Sequence, residues 1–165
     1  MVPNSQRFDT LFSWMDERQA IELLSQNISD LDNPGIKYIA ATRLGACSSR
    51  DSLDALVLAA TGDRENIFES ITRRKSIEAL GRRRDLSTLP TIYDAMSSSD
   101  EQTIVNAVDT LINFGIPLDS QFKSSLLKII QDGTDVLKCV AIQCFSRLEM
   151  HDSNGIISKQ QSNPN

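Results

Sequence analysis

Four segments of this chain superimpose when the sequence is slid along itself: IKYIAATRLG (36–45), TRRKSIEALG (72–81), TIVNAVDTLI (103–112) and LKCVAIQCFS (137–146). Aligned on Leu44, Leu80, Leu111 and Phe145, they recur at steps of 36, 31 and 34 residues. Self-similarity at such a period marks a repeat architecture, and few folds accommodate it. Four residues before each anchor stands a small residue: Ala40, Ser76, Ala107, Ala141. Three before it stands an apolar one: Ala41, Ile77, Val108, Ile142. Offsets of three and four put all three columns on one face of a helix. The small column lets a second helix approach closely.

A second helix is expected in most copies. SRDSLDALVLAA carries Leu53, Leu56 and Val57, and DLSTLPTIYDAM carries Leu89, Ile92 and Tyr93 at the same distances from Leu44 and Leu80. FGIPLDSQFKSSLLKII places Gly115 and Pro117 in a turn, then Phe122, Leu126, Leu127 and Ile130 on a helix. Gly45 and Gly81 fit helix ends, Ser52 and Ser87 fit caps, and Pro90 fits a first turn. The predicted fold is all-α: an α-solenoid of stacked helical hairpins, HEAT-like or armadillo-like. One such hairpin cannot bury its own apolar face, so neighbours must stack. The expected divisions are an N-terminal capping region (1–35), repeats over 36–70, 71–101, 102–134 and 135–150, and a flexible polar tail (151–165). The capping helix, over 8–27, would use Phe8, Leu11, Phe12 and Met15, continued by Ile21 and Leu24. The tetratricopeptide columns and the ankyrin Thr-Pro-Leu-His signature are absent.

Charge narrows the function. The chain carries −5, yet ITRRKSIEALGRRRD (71–85) holds six cations and two anions, so the remainder stands at −9. Nucleic-acid binding needs a broad positive footprint, and this background opposes it. Three cysteines without paired spacing imply neither a disulfide framework nor a zinc site. The N-terminal MVPNSQRFDTLFSWMDE lacks the basic start and apolar run of a signal peptide. No stretch reaches the ~20 apolar residues of a membrane span. A soluble protein of a reducing compartment is expected.

YIAATRLGACSSRDSLDALVLAA together with ITRRKSIEALGRRRDLSTLP resembles the E/F-type phycobilin lyases, most of all those associated with phycoerythrin. The resemblance spans about 36–115, and TRRKSIEALGRR is its most specific part. It implies a bilin lyase, or a subunit of one, that attaches a linear tetrapyrrole to a phycobiliprotein cysteine in the cyanobacterial cytosol. The implied partners are a phycobiliprotein subunit, a phycobilin substrate (phycoerythrobilin) and a second lyase subunit, with no cofactor. Family members also act as chaperones of those subunits. The alternatives here are a non-catalytic chaperone or adaptor, and a generic HEAT-repeat scaffold.

A bilin presents two propionates on an apolar body, and arginine pairs carboxylates bidentately. Arg73, Arg74 and Arg83 are therefore the candidate ligands of a propionate, or of an acidic patch on the partner; the two stay open. Tyr38, one repeat earlier at the position of Arg74, is the candidate for stacking on a tetrapyrrole ring. The competing reading is structural. Arg73 would edge the buried stripe, and Arg74 and Lys75 would point outward. Arg82, Arg83 and Arg84 would lie past the helix end, where each cation contributes ~0.3–1 kcal/mol. Cys47 follows a turn, Cys139 and Cys144 belong to a helix core, and His151 starts the tail. Thiol addition to a bilin vinylidene group needs orientation more than a strong nucleophile. Asp51, Asp54 and Asp85 are acids that could protonate a bilin, and nothing in the sequence selects among them, so no catalytic residue is assigned.

Overall fold

The computed structural model describes residues 14–62, 65–115 and 119–161, with side chains as far as Leu148. Eight α-helices occupy the described residues: α1 Glu17–Ser25, α2 Ile36–Leu44, α3 Arg50–Ala60, α4 Ile67–Arg83, α5 Leu89–Ala95, α6 Glu101–Phe114, α7 Ser120–Asp132 and α8 Asp135–Gln161. They form two layers. The even helices pack in chain order, α2 on α4, α4 on α6 and α6 on α8. Of the odd helices, α1 packs on α3 and α3 on α5, while α1 also meets α2, α3 meets α4, α5 meets α6 and α7 meets α8. This is the all-helical repeat arrangement that the columns predict.

The columns form the core. Leu44, Leu80 and Leu111 are fully buried, as are Ala40, Ser76, Ala107 and Ala141, and Ala41, Ile77 and Val108. Ser76 is tolerated there because its hydroxyl donates to the Thr72 carbonyl within α4. Leu53, Leu56, Ile92, Tyr93, Phe122 and Leu126 fill the space from the odd layer. Tyr93 donates to Asp119, which itself caps α7, so burial and that carboxylate push the phenol up to about 12.

Several expectations are corrected. The last helix slips by one residue: Leu137, Ala141, Cys144 and Leu148 are buried, Phe145 is half-buried, and Ile142 faces solvent. That set superimposes on Ile104, Val108 and Leu111, so Cys144 takes the anchor place. Leu127 is also exposed, with Ile129 buried in its stead. Gly81 is no turn residue. It lies inside α4, and a Cβ there would come 2.8 Å from Thr110 Cγ2. The helix passes Gly81 because α6 needs that close approach. Caps differ too: Ser49, not Ser52, caps α3, and Asp85, not Ser87, opens the short 3-10 turn before α5. Pro90 sits in the first turn of α5 as expected. Helix α8 runs to Gln161, into the segment expected as a tail. Met15 and Leu24 are buried at the start of the stack; Phe8, Leu11, Phe12 and Pro117 lie outside the described residues.

Candidate functional site

The basic stretch belongs to α4, the longest helix of the central stack, which is covered by α2, α3 and α6. A helix covered on three sides has almost no wet face, and this decides where its cations go. Arg73 is 2% exposed. Its Nε donates to the Ala60 carbonyl at the end of α3 (3.0 Å), and an Nη donates to Ser98 Oγ beyond α5 (2.8 Å). Arg74, expected to point outward, forms a two-pronged pair with Asp100 at 2.7 and 2.6 Å. Asp100 also caps α6 through Thr103, and these donors, Arg74 foremost, hold its carboxyl below the usual carboxylate range. Lys75, likewise expected outside, is buried. Its ammonium lies 2.9 Å from both Glu78 oxygens and 4.9 Å from the centre of the Tyr38 ring.

The arginines at the other end of α4 fall within or at its last turn rather than beyond it. Arg82 bridges Glu78 (2.8 Å) and the Thr42 carbonyl of α2 (3.2 Å). Arg83 donates to Ser52 Oγ (2.7 Å) and the Ser49 carbonyl (2.8 Å) at the start of α3. Arg84 ends the helix in the left-handed region, at φ 54°. The four candidate residues therefore do not converge. Ten residues of helix, about 15 Å of rise, separate Arg73 from Arg83. Arg74 reaches toward α6, and Tyr38 stands on α2. Of the four, Tyr38 has the most open surface, at 40% exposure. With Lys75, Glu78 and Arg82 it makes an aromatic and charged strip across α2 and α4.

One position in the column of Arg73 escaped the sequence reading. Lys37 stands seven residues before Leu44, as Arg73 stands seven before Leu80. Lys37 is buried and its ammonium donates to the Gln26 carbonyl at the end of α1. So α2 and α4 each send a cation to the carboxyl end of the preceding odd helix. The offset of seven was legible as a column; its chemistry was not, because two different cations occupy it.

Two cavities open at equivalent places along this edge. One, of about 270 Å³, lies among α1, α2, α3 and α4, between Leu24, Ala55, Leu58 and Thr72, with Lys37 on its wall. The other, of about 410 Å³, lies among α5, α6, α7 and α8. Both approach or fall within the range of small-ligand sites, ~300–1,000 Å³.

Burial pushes the Cys47 thiol up, and its Sγ contacts the Arg43 carbonyl. Cys144 is buried, with its thiol raised to about 11, whereas Cys139 is exposed, contrary to the core placement expected for it. Asp51 and Asp54 are exposed, Asp85 is half-buried, and the His151 side chain lies outside the described residues. No group of histidine, cysteine and carboxylate suited to a metal occurs among the described residues. No helix among them is long and apolar enough to cross a membrane.

The chain is a two-layer helical repeat in which Lys37, Arg73 and Arg83 reach the ends of neighbouring helices. No family model matches the chain. Over 143 residues, 87% of its length, the chain is 30% identical to the uncharacterized phycocyanin operon protein Y of Pseudanabaena tenuis. It spans about a third of the length of that curated relative.

Proposed function

We propose that the chain serves phycobiliprotein maturation as a subunit of a bilin lyase. In this reading it supplies part of the surface on which a linear tetrapyrrole is held while an acceptor cysteine adds to it. The observation that carries the proposal is the likeness, over nearly the whole chain, to a protein of a phycocyanin operon. The TRRKSIEALGRR resemblance points the same way. Tyr38 is the candidate contact for the bilin, since its ring is exposed and Lys75 lies over it. Arg73, Arg74 and Arg83 support the site indirectly, by fixing α4 against α3 and α6.

A second reading is a chaperone or adaptor of phycobiliprotein subunits that makes no covalent bond. It is favoured by the intramolecular partners of the three arginines, which leave no propionate clamp among them. The test is co-expression with a phycobiliprotein subunit and a bilin-synthesis pathway, with and without a second lyase subunit. Bilin fluorescence that survives on the denatured acceptor, and falls with Tyr38→Ala, is expected. Soluble acceptor without covalent colour under every pairing overturns the lyase reading in favour of the chaperone.

A further inference from the structure

The helix ends along the cavity edge follow a rule that the second half of the stack breaks. Neither α1 nor α3 has a basic residue in its last turn, and the carbonyl groups there receive Lys37 and Arg73 from the next even helix. Helices α5 and α7 also end without a basic residue. Yet the positions equivalent to Lys37 and Arg73 are Ile104 on α6 and Leu137 on α8, whose side chains cannot donate. Both line the 410 Å³ cavity, and with Met96 and Ile129 they make its apolar floor.

The rim of this cavity is acidic. Asp132 is the last residue of α7, at the negative end of the helix dipole, where an anion is disfavoured and a cation is stabilised. Glu101 faces it from the first turn of α6, with Thr134 donating to its carboxylate. Lys128 is the one cation on the lining, exposed and a turn earlier on α7. Hydroxyls of Ser97, Ser99 and Ser125 complete the wall.

We propose that this cleft receives an arginine side chain, flanked by apolar residues, from a partner protein. The molecule itself displays the bound state one hairpin earlier: the buried Arg73 guanidinium reaches a helix-end carbonyl and a serine hydroxyl. In the second half the equivalent place is a cavity, with two carboxylates on its lining to attract the charge. An apolar floor beneath an acidic rim fits the aliphatic stem and charged head of arginine.

The test is a titration of the full ¹⁵N-labelled chain with the tripeptide acetyl-Leu-Arg-Leu-amide and its norleucine counterpart, followed by NMR. Saturable shifts at Ser99, Glu101, Thr134 and Leu137 are expected, with the arginine peptide about tenfold tighter, as a charge-assisted hydrogen bond implies. Asp132→Asn weakens it about threefold, in line with a helix-end charge. Ile104→Arg abolishes the shifts by filling the cleft from within, and Asp132→Asn stands as the check if that variant does not fold. Equal affinity of the two peptides, or arginine-dependent shifts confined to other surface acids, overturns the proposal. No bilin or acceptor enters the measurement, so its outcome is independent of the lyase reading.

Discussion

The two halves of the stack pose one structural problem and answer it in opposite ways. In α2 and α4 the residue seven before the anchor is a buried cation; in α6 and α8 it is Ile104 or Leu137. The backbone arrangement is the same, and so is the burial. The first answer ties successive hairpins together with donors that ignore the solvent. The second leaves a cleft with an acidic rim. A repeat protein can therefore switch from self-binding to partner-binding at one position per repeat, without altering its core columns.

The largest expected effect separates these answers directly. Arg73→Leu removes the donor to the buried Ala60 carbonyl and one of the partners of Ser98 Oγ, which keeps the Asp100 N–H, and costs about 3 kcal/mol. Ile104→Leu, the same side chain at the equivalent position, costs less than about 1.5 kcal/mol. Urea unfolding of both variants measures the gap, and equal losses would erase the distinction between the halves.

Gly81→Ala tests the close contact of α4 with α6. An alanine inside a helix ordinarily gains ~0.5–1 kcal/mol over glycine. Here the methyl group meets Thr110, and a net loss of about 1–3 kcal/mol is expected from thermal unfolding. Stabilisation would show that the two helices are free to separate.

A smaller effect comes from the Arg74–Asp100 pair, whose side chains are both about a quarter exposed. The Asp100 carboxyl titrates below its unfolded value, so its stabilising contribution is present above the unfolded pKa, ~3.9. It is lost as pH falls through the lower folded value. Arg74→Ala should be less stable at neutral pH by up to about 1 kcal/mol, and the two stability curves should converge in strong acid. Parallel curves would place the effect elsewhere.

The smallest effect concerns how the two long central helices end. Helix α6 stops on Gly115 at φ 68°, and α4 stops on Arg84 at φ 54°. Arg84→Gly relieves the left-handed conformation and should raise stability by roughly 0.5–1 kcal/mol. A loss would mean that the Arg84 side chain holds something that its backbone strain conceals.

Leu44, Leu80 and Leu111, with their small neighbours four residues before, could be read from the chain because periodic burial is written in residue type. The same reading erred at Ile142, since LKCVAIQCFS supports two registers of one residue, and only packing on α6 and α7 chooses Cys144 over Phe145. It erred at Gly81 because a glycine before three arginines resembles a helix end, while a glycine beneath Thr110 resembles nothing local.

The site was legible in part. The basic stretch stands out against an acidic chain, and its place on a helix follows from the columns. The destinations of its side chains were not legible. Arg73 to Ala60, Arg74 to Asp100 and Arg83 to Ser49 join residues 13 to 34 apart in sequence. What the sequence determined alone is the period, the helices and the buried face, because each is a property of neighbours three, four and seven apart. Whether a cation serves the fold or a partner was decided only by the tertiary structure. That choice depends on which distant helix end lies within about 3 Å of the donor, and no local spacing encodes that distance.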